Sequence, residues 1–408
     1  MRIGMIGLGK LGLPVALAIN SRGHAVFGFD VNPDVKTYLD QRAIPFREEG
    51  IEPLLASHTV MWCDSIESLL AQDCDIVFVA IQTPHQPEFE GDNILPDERA
   101  DFDYTALKKA IKAVNRAVES HDVDPVVAVI STCLPGTFKR EIDPLVTEFE
   151  YAYTPQFIAM GTVIHDYLSP EFNLIGTKNA DAARTLSQFY ETINDAPPLV
   201  TDITTAEGIK VSYNTWITAK TVIANAWGEM SEKLGMNFDD LHLAWDLADQ
   251  RIVSSRYMRA GMSDGGGCHP RDNIALSWLA ERIGMSHNIW EDLMEAREDY
   301  EMWHCEVAID ASVKNKLPIV LLGRAFKPET DIETGSPAML MANVFRTVGV
   351  QFLHANDLDY LPPAVYFIAT KNDRYADYAF PPGSVVLDPF GFIADRDGVE
   401  VVRIGRKR

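Results

Sequence analysis

The residues with the clearest potential for chemistry lie at positions 264–272, which read Asp-Gly-Gly-Gly-Cys-His-Pro-Arg-Asp. A glycine costs roughly 0.5–1 kcal/mol more than alanine to order in regular structure, so three in a row favour a backbone that approaches a ligand closely. A cysteine that follows such a loop and precedes a helix receives free backbone N–H donors and the positive end of the helix dipole, which favour the thiolate. The pattern therefore predicts that Cys268 is a nucleophile. A flexible turn with an incidental thiol is the alternative.

The other cysteines are predicted to be packing residues, because they lie in apolar or ordinary surroundings; they are Cys63, Cys74, Cys133 and Cys305. None of the five forms a C-x-x-C pair or another metal-ligand spacing, so no metal site is predicted. Scattered cysteines, odd in number, indicate reduced thiols in a reducing, cytoplasmic compartment.

A second motif, Gly7-Leu8-Gly9-Lys10-Leu11-Gly12, fits the dinucleotide-binding pattern G-x-G-x-x-G. It follows a predicted strand and precedes a predicted helix, which is the context the motif requires. The glycines allow a tight turn and a close approach to a pyrophosphate, and the helix N-terminus supplies free N–H donors. Asp30 ends the next predicted strand, where a carboxylate accepts from ribose hydroxyls and repels a 2′-phosphate. The motif thus predicts an NAD site in preference to NADP, with a plain structural turn as the alternative.

These residues need elements to position them, and the first two hundred residues alternate strands and helices in the manner of a parallel sheet. Predicted strands are 2–6, 25–30, 76–81, 126–131 and 151–153, and predicted helices are 13–22, 104–119 and 181–193. Apolar residues then recur at helical spacing in 206–233, 241–247, 274–283 and 289–311. The α/β rhythm returns with strands 318–323, 365–369 and 385–387 and helix 337–348. The tail, 403–408, is predicted to be a solvated end.

The 408 residues exceed one ordinary core, and 47% hydrophobic with 23% charged residues is typical of a soluble globular protein. No apolar run reaches the roughly 18–20 residues that span a bilayer, and the N-terminus is predicted to be a buried strand. A formal net charge of -23 argues against nucleic acid or an anionic membrane as a partner. We expect three domains: 1–200, 201–312 and 313–408.

Five stretches, in order along the chain, carry a resemblance to the UDP-glucose/GDP-mannose dehydrogenase family. The chain resembles this family over nearly its full length, through the 7–12 loop; 131–137, Ser-Thr-Cys-Leu-Pro-Gly-Thr; 206–210, Ala-Glu-Gly-Ile-Lys, with Asn214; 265–272; and 323–331, Gly-Arg-Ala-Phe-Lys-Pro-Glu-Thr-Asp, with 336–338, Ser-Pro-Ala. Ordered matches of this kind are far more specific than any one of them alone.

The resemblance implies an α/β protein in which two Rossmann-like parallel-sheet domains are joined by a central all-helical dimerisation domain. It implies an N-terminal NAD domain, a homodimer, and a C-terminal domain that helps to bind a nucleotide sugar. The implied reaction is a four-electron oxidation at C6 to a uronic acid with two NAD consumed, of the kind used in polysaccharide biosynthesis. UDP-glucose is the first candidate substrate, and GDP-mannose or a UDP-hexosamine the second. A divergent NAD- and nucleotide-binding protein with impaired turnover remains an alternative.

The resemblance also implies roles for single residues. Cys268 would trap the intermediate aldehyde as a thiohemiacetal, which loses hydride to give a thioester that water hydrolyses. Lys210 would bind substrate and stabilise the developing alkoxide, and Asn214, at i+4, would face the same side. Asp272 would position water or tune Lys210, and Thr132 would place a hydroxyl between the cofactor and that water.

Further contacts are expected with both ligands. For the cofactor these are Gly7, Gly9, Lys10, Leu11, Gly12, Asp30, Thr83 and Thr132. For the substrate they are Gln156, Lys210, Asn214, Arg251, Gly265 and Lys327. Arg251 and Lys327 are cations that suit a diphosphate, although Arg251 requires a one-residue insertion before the glycine loop.

The chain departs from the family's pattern where hydrolysis is concerned. Gln156 stands in place of a glutamate associated with thioester hydrolysis, and Met160 replaces a second glutamate. Residues 332–335 lack the family's usual Arg-Glu, and 390–392 lack an arginine often found there. An amide orients water by hydrogen bonding but cannot take its proton at neutral pH. We therefore expect slow hydrolysis, unless Asp272 with Thr132 activates the water.

Overall fold

The computed structural model describes residues 1–84, 100–254, 259–263, 269–328, 330, 332–355 and 361–406. The chain divides into two compact units, Met1–Ala219 and Lys220–Arg408.

The first unit is built on a mostly parallel sheet, as the alternating pattern predicts. Among the described residues its strands are β1 (Arg2–Ile6), β2 (Ala25–Phe29), β3 (Met61–Trp62), β4 (Ile76–Val79), β5 (Val126–Val129), β6 (Tyr151–Tyr153), β7 (Asn173–Gly176) and β8 (Pro198–Thr201). Their spatial order is β3-β2-β1-β4-β5-β6-β7-β8, and the β6–β7 pair is antiparallel while the other neighbours are parallel. The first six strands have the order of a doubly wound dinucleotide-binding sheet. In such a sheet the strand order reverses between β1 and β4, although these two strands are parallel.

Helices cover both faces of this sheet. They are α1 (Gly12–Ser21), α2 (Asp34–Gln41), α3 (Ile51–Ser57), α4 (Ile66–Leu70), α5 (Thr105–His121), α6 (Val163–Leu168), α7 (Ala180–Glu191) and α8 (Ile203–Leu234), which extends past Ala219. Side chains alternate along β4: Ile76 and Phe78 pack with α1, α6 and α7, whereas Val77 and Val79 pack with α4 and α5. Because successive side chains of a strand point to opposite faces, β4 contributes to the hydrophobic core on each face of the sheet.

The second unit contains helices followed by a smaller parallel sheet. Its elements are α9 (Phe238–Leu247), α10 (His269–Ile283), α11 (Ile289–Asn315), β9 (Ile319–Leu322), α12 (Pro337–Thr347), β10 (Phe352–Ala355), β11 (Val365–Ile368), α13 (Arg374–Asp377), β12 (Val385–Asp388) and β13 (Glu400–Arg403). The strand order is β10-β9-β11-β12-β13, with every neighbouring pair parallel. This is the flavodoxin-like strand order, which reverses between the parallel strands β9 and β11.

The α/β class and the Rossmann-like parallel sheets expected from the sequence are confirmed. Helices α8 to α11 occupy the stretch expected to be helical, while the dimerisation role and the three domain boundaries stay predictions. The expectation of a solvated tail is wrong at its start, because Arg403 ends β13 and its guanidinium donates to the Ile393 carbonyl oxygen at 2.7 Å. Of the described helices, none is both long and apolar enough to cross a membrane.

Candidate active site

The glycine loop joins β1 to α1, and its glycines serve different purposes. A Cβ on Gly7 (φ +94°) would lie 2.4 Å from the Ala80 carbonyl oxygen, and one on Gly12 would lie 2.0 Å from the Gly7 carbonyl oxygen. The packing of the protein therefore requires both glycines. A Cβ on Gly9 would meet nothing within 4 Å, so the internal packing gives no reason for that glycine. An approaching pyrophosphate does give one.

The first turn of α1 is suited to an anion. No side chain caps this turn, and it contains no acidic residue. The Leu13 N–H donates to the Gly9 carbonyl oxygen at 3.1 Å, and the positive end of the helix dipole favours an anion beside this turn. Asp30 follows β2 and accepts from the Leu8 N–H at 2.6 Å and from the Asn32 N–H at 2.7 Å. Asp30 therefore braces the loop, in addition to the ribose contact expected from the sequence.

Threonines from the next two strands lie at the same edge of the sheet. Thr83 follows β4 and its hydroxyl donates to the Thr132 carbonyl oxygen at 2.8 Å, while the Ser131 hydroxyl donates to the Ile81 carbonyl oxygen at 2.5 Å. The structure thus brings together Thr83 and Thr132, at the carboxyl ends of β4 and β5. This is the edge at which doubly wound sheets bind nucleotides.

Lys210 is a buried cation on α8 with 9% of its surface exposed. Its Nζ donates to the main-chain oxygen of Gln156 at 2.8 Å and lies 5.1 Å from the Phe157 ring centroid. Burial lowers the pKa of Lys210, and no carboxylate among the described residues forms an ion pair with it. Because its partners are a carbonyl group and a ring, the Lys210 ammonium group is not neutralised by a described carboxylate. Its charge is therefore available to stabilise an oxyanion.

The Gln156 side chain is fixed by acceptors that suit an amide. Its Nε2 donates to the Thr154 carbonyl oxygen at 3.0 Å and to the Tyr190 hydroxyl at 3.1 Å. A carbonyl oxygen can only accept, so the amide nitrogen must face it. A glutamate could not make the same contact in its ionised form. Burial raises the pKa of Tyr190 to about 12, so that hydroxyl stays protonated at neutral pH.

Lys210 and Asn214 line one cleft of about 420 Å³, as their spacing on a helix predicts. Its aromatic wall was not foreseen: Phe157 lies 4.8 Å from Phe172 and 4.8 Å from Tyr213, between ring centroids. Tyr213 is three residues after Lys210, so helical periodicity could have found it. Asp166 and Glu171 also contribute, and burial, followed by the neighbouring Glu171 carboxylate, raises the pKa of Tyr213. The cleft combines a cation, an amide and ring surfaces, a combination that suits a sugar.

Glu207 connects two of the motifs and received no role from the sequence. It is fully buried, and its carboxylate accepts from the Gly136 N–H at 2.6 Å and the Phe138 N–H at 2.8 Å. Burial raises the pKa of Glu207, and these two donors partly oppose the shift. Glu207 therefore ties the turn that carries Lys210 to the segment that carries Thr132.

Met160 lies elsewhere in the first unit. It is 65% exposed and lines a second cleft with Lys10 and Arg47. Its replacement of a family glutamate therefore affects a different cleft from the one that contains Lys210.

The remaining expected residues belong to the second unit. Asp272 lies in the first turn of α10, where it is exposed and pairs with Arg271 at 2.9 Å. Arg251 is exposed in the turn after α9. Gly265 and Cys268 lie outside the described residues. The tuning of Lys210 by Asp272 stays a prediction.

Lys327 belongs to a braced loop after β9. Gly323 opens the loop with φ +94°, and a Cβ there would lie 2.5 Å from Thr370. The Thr370 hydroxyl donates to the Ala325 carbonyl oxygen at 2.6 Å, and His354 Nε2 donates to that of Gly323 at 2.8 Å. Lys327 is exposed. Its loop follows β9, at the point where the strand order of the second sheet reverses, and this location is typical of nucleotide sites.

Strand order, glycine loop and Asp30 together define a dinucleotide-binding protein of the doubly wound α/β class. Residues 1–194 match the NAD binding domain of the UDP-glucose/GDP-mannose dehydrogenase family, and residues 204–298 match the family's central domain. The chain belongs to the UDP-glucose/GDP-mannose dehydrogenase family, which confirms the resemblance and the NAD cofactor.

Similar proteins include both GDP-mannose 6-dehydrogenases and UDP-glucose 6-dehydrogenases. The chain is 28% identical to the GDP-mannose 6-dehydrogenase of Pseudomonas aeruginosa, over 84% of this chain and 78% of that protein. It is also 28% identical to the UDP-glucose 6-dehydrogenase of Rickettsia conorii, over 93% of this chain and 86% of that protein. A crystal structure of a ternary complex of GDP-mannose dehydrogenase from Pseudomonas aeruginosa has the same fold, with a TM-score of 0.86, 24% identity and coverage of 98% and 99% of the two chains.

Proposed function

We propose that the protein oxidises the C6 hydroxyl of a nucleotide sugar to a carboxylate, using two NAD in succession and Cys268 as the nucleophile. The observation that carries this proposal is the buried cation of Lys210, which shares a cleft with Asn214 and makes no ion pair with a described residue. Its ammonium group is suited to an alkoxide that develops during hydride loss. Bound NAD would accept each hydride.

The chemistry requires a thiolate, and the described cysteines are poor candidates. Burial raises the pKa of Cys74 and of Cys305 to about 12. It raises the pKa of Cys63 and Cys133 as well. All four stay protonated at neutral pH, and a protonated thiol is a weak nucleophile. We therefore assign the covalent step to Cys268.

The alcohol loses a proton and a hydride to give the aldehyde, and the Cys268 thiolate adds to its carbonyl carbon to form the oxyanion of a thiohemiacetal. This oxyanion loses a second hydride to give a thioester. Water then cleaves the C–S bond, releasing the acid and the thiol. Lys210 would stabilise the oxyanion in each of these steps.

Gln156 has a place in the hydrolytic step of this proposal. Its amide nitrogen is occupied by Thr154 and Tyr190, so the amide oxygen is the atom that remains to orient a water molecule. We propose that Gln156 positions the water without taking its proton. Asp272, with Thr132, is the proposed alternative for activating it.

UDP-glucose is the substrate that we propose first, with UDP-glucuronate as the product for polysaccharide biosynthesis in the cytoplasm. The UDP-glucose and GDP-mannose relatives named above are each 28% identical to this chain, so the order of these candidates follows the sequence resemblance and not the degree of identity. GDP-mannose is the second candidate. NADH formation measured with UDP-glucose, GDP-mannose and UDP-hexosamines tests the choice, and the best kcat/KM identifies the substrate.

The same screen tests the rival proposal, a binding protein with impaired turnover, which the Gln156 and Met160 departures favour. A binder would take up NAD and a nucleotide sugar in calorimetry but form no NADH. A single turnover that stops at the acyl-enzyme would instead place the defect at hydrolysis.

We also propose a homodimer formed through α8. Apolar side chains are exposed over two successive turns of this helix: Trp216 is 49% exposed, Ile217 51%, Val222 41% and Ile223 39%. Apolar groups clustered in this way typically mark a protein interface. Sedimentation should show a dimer at micromolar concentration, and a monomer throughout would disprove this assignment.

A further inference from the structure

The loops that follow β9, β11 and β12 lie at one end of the second sheet, because these neighbouring strands are parallel. The strand order reverses between β9 and β11, and open α/β sheets bind ligands beside such a reversal, at the carboxyl ends of the strands. Lys327, in the loop after β9, is the cation that the sequence resemblance assigns to a diphosphate. The loops after β11 and β12 have received no role so far.

Internal hydrogen bonds fix all three loops. The hydroxyl of Thr370, which follows β11, donates to the Ala325 carbonyl oxygen at 2.6 Å and so joins the loop after β11 to the loop after β9. Asp388, the last residue of β12, is fully buried, and its carboxylate accepts the N–H groups of residues 390–393 at 2.7–2.9 Å. The backbone at this end of the sheet is therefore ordered before a ligand arrives, which lowers the cost of binding.

The loop after β12 contributes no cation of its own. Residues 390–392, where the family's pattern often has an arginine, read Phe-Gly-Phe. Two arginines reach this loop from the end of the chain. The Arg406 guanidinium donates to the Pro389 carbonyl oxygen at 2.8 Å, and the Arg403 guanidinium donates to that of Ile393 at 2.7 Å. Both side chains thus brace the loop from within the protein.

Lys371 brings a positive charge to this loop from the neighbouring one. It follows Thr370, and its Nζ lies 5.7 Å from the centroid of the Phe392 ring. The side chain is exposed, and it forms no ion pair with a described carboxylate. Lys327 is similar, because it is exposed, its Nζ lies 5.3 Å from the Phe326 ring centroid, and it too lacks an ion pair with a described residue.

The described carboxylate of the loop after β9 does not cancel these charges. Glu333 is paired with Arg324, whose Nε and a terminal nitrogen donate to its two oxygens at 2.6 and 2.9 Å. In a chain with a formal net charge of -23, an anionic ligand requires a local excess of positive charge. Lys327 and Lys371 provide two such charges at one end of one sheet.

We propose that Lys371 is a further substrate-binding residue: with Lys327, it binds the diphosphate of the nucleotide sugar and supplies the cation that residues 390–392 lack. The inference deepens the proposed function and rests on its choice of a nucleotide sugar as substrate. A lysine ammonium group binds phosphate as a compact point charge. The diphosphate is remote from the reacting C6 carbon, so Lys371 should act on binding rather than on the chemical steps.

The test is calorimetric titration of the full chain with UDP and with GDP, which requires no turnover. Lys371→Met removes the charge and keeps an unbranched side chain. We expect the Kd of the tighter nucleotide to rise about tenfold, a modest loss for a charged hydrogen bond because Lys371 is exposed. The KM for the nucleotide sugar should rise by a similar factor, with kcat and the Kd for NAD unchanged. Lys371→Arg should bind as tightly as the parent, because a guanidinium also binds phosphate.

Lys314→Met is the matched control. Lys314 is an exposed lysine in the last turn of α11, and α11 leads into the start of β9, so this residue lies toward the opposite end of the sheet. The change in net charge is the same, and the Kd should equal that of the parent. Circular dichroism and the unfolding temperature establish that each variant is folded, and Lys371→Gln serves if Lys371→Met does not fold.

A parent-like Kd for UDP and GDP in the folded Lys371→Met protein overturns the proposal, as does an equal loss in Lys314→Met. Binding by Lys371→Arg as weak as that by Lys371→Met overturns it too, and so does a parent protein that binds neither nucleotide. An absence of NADH with every nucleotide sugar would instead overturn the proposed function. Calorimetry would still measure the contribution of Lys371 in that case, so the two failures are distinguishable.

Discussion

The Gln156→Glu substitution restores the carboxylate that the family's pattern has at this position, and the structure shows what the change would cost. The Gln156 amide nitrogen donates to the Thr154 carbonyl oxygen at 3.0 Å. In the variant an oxygen faces that carbonyl. The Tyr190 hydroxyl, now a partner at 3.1 Å, can turn to donate, but Thr154 cannot.

The magnitude follows from these contacts. A lost hydrogen bond that leaves a half-buried acceptor unpaired costs about 1–3 kcal/mol. The cost applies to the ionised carboxylate and is relieved when the carboxyl group is protonated, so it raises the pKa of the new glutamate. Lys210, bound to the main-chain oxygen of the same residue, opposes part of this shift. The result is a carboxylate with a raised pKa, which suits a general base.

Stopped-flow NADH absorbance and mass spectrometry of quenched enzyme are the assays. The parent should show a burst of close to two NADH per active site, then a slower steady rate, with an acyl adduct on Cys268. Gln156→Glu should raise the steady rate, because general base catalysis contributes about 10²–10⁴, and should shrink the adduct. The raised pKa of the new glutamate sets the pH dependence. As the pH falls through this pKa, the carboxylate is protonated, so the gain in steady rate is lost and the destabilisation of the folded variant is relieved.

Gln188→Glu, an exposed glutamine on α7, is the matched control and should change neither phase. Linear NADH formation without an adduct in the parent would refute the reasoning, because hydrolysis would then not limit turnover. A folded Gln156→Glu variant with a lower steady rate would refute it as well, and would leave the amide as an orienting group that a carboxylate cannot replace.

Three further predictions use the same reasoning. Asp30→Ala should raise the Kd for NAD more than that for NADP in calorimetry; equal effects would limit Asp30 to bracing the loop through Leu8. Cys268→Ser should abolish acid formation with NAD affinity intact, whereas Cys305→Ser should keep both. Lys210→Met should lower kcat by about 10²–10³. Because burial lowers the pKa of Lys210, this residue binds more protons in the unfolded chain than in the folded protein between its folded pKa and 10.5, so the stability of the parent relative to Lys210→Met should increase with pH there. Urea unfolding at a series of pH values measures this difference, and identical slopes would contradict it.

Some strands could be predicted from the sequence because a short apolar run is a local signal. The predicted strands 2–6 and 151–153 coincide with β1 and β6, and helix 206–233 lies within α8. Strands that depend on their partners were missed. β3 has only two residues, and β13 reads Glu-Val-Val-Arg, of which only Arg403 belongs to the stretch predicted to be a solvated tail. Pairing with β12 supplies the hydrogen bonds that the local pattern does not reveal.

In the candidate site, too, local sequence patterns predict some residues, and only the fold reveals others. Lys210 and Asn214 share a cleft because helical spacing is local information, and Asp30 lies at the sheet edge because its strand could be predicted. Glu207 and Glu301 could not be recognised, since a glutamate in a helix is normally a solvated charge. Their partners are 71 and 38 residues away in sequence, and only the fold reveals them.

Glu207 and Glu301 have one feature in common: each is a buried carboxylate that accepts main-chain N–H groups. Glu207 accepts main-chain N–H groups from the segment that carries Thr132, and Glu301 accepts one from Ser263. A carboxylate can accept several donors at once, which a serine or an amide side chain in the same space cannot do without an unpaired donor. Burying such a group is unfavourable, so the presence of Glu207 indicates that a fixed backbone matters more than stability in the segment that carries Thr132. Reactive groups on irregular backbone require this kind of support, because a misplacement of about 1 Å can cost 10²-fold in rate.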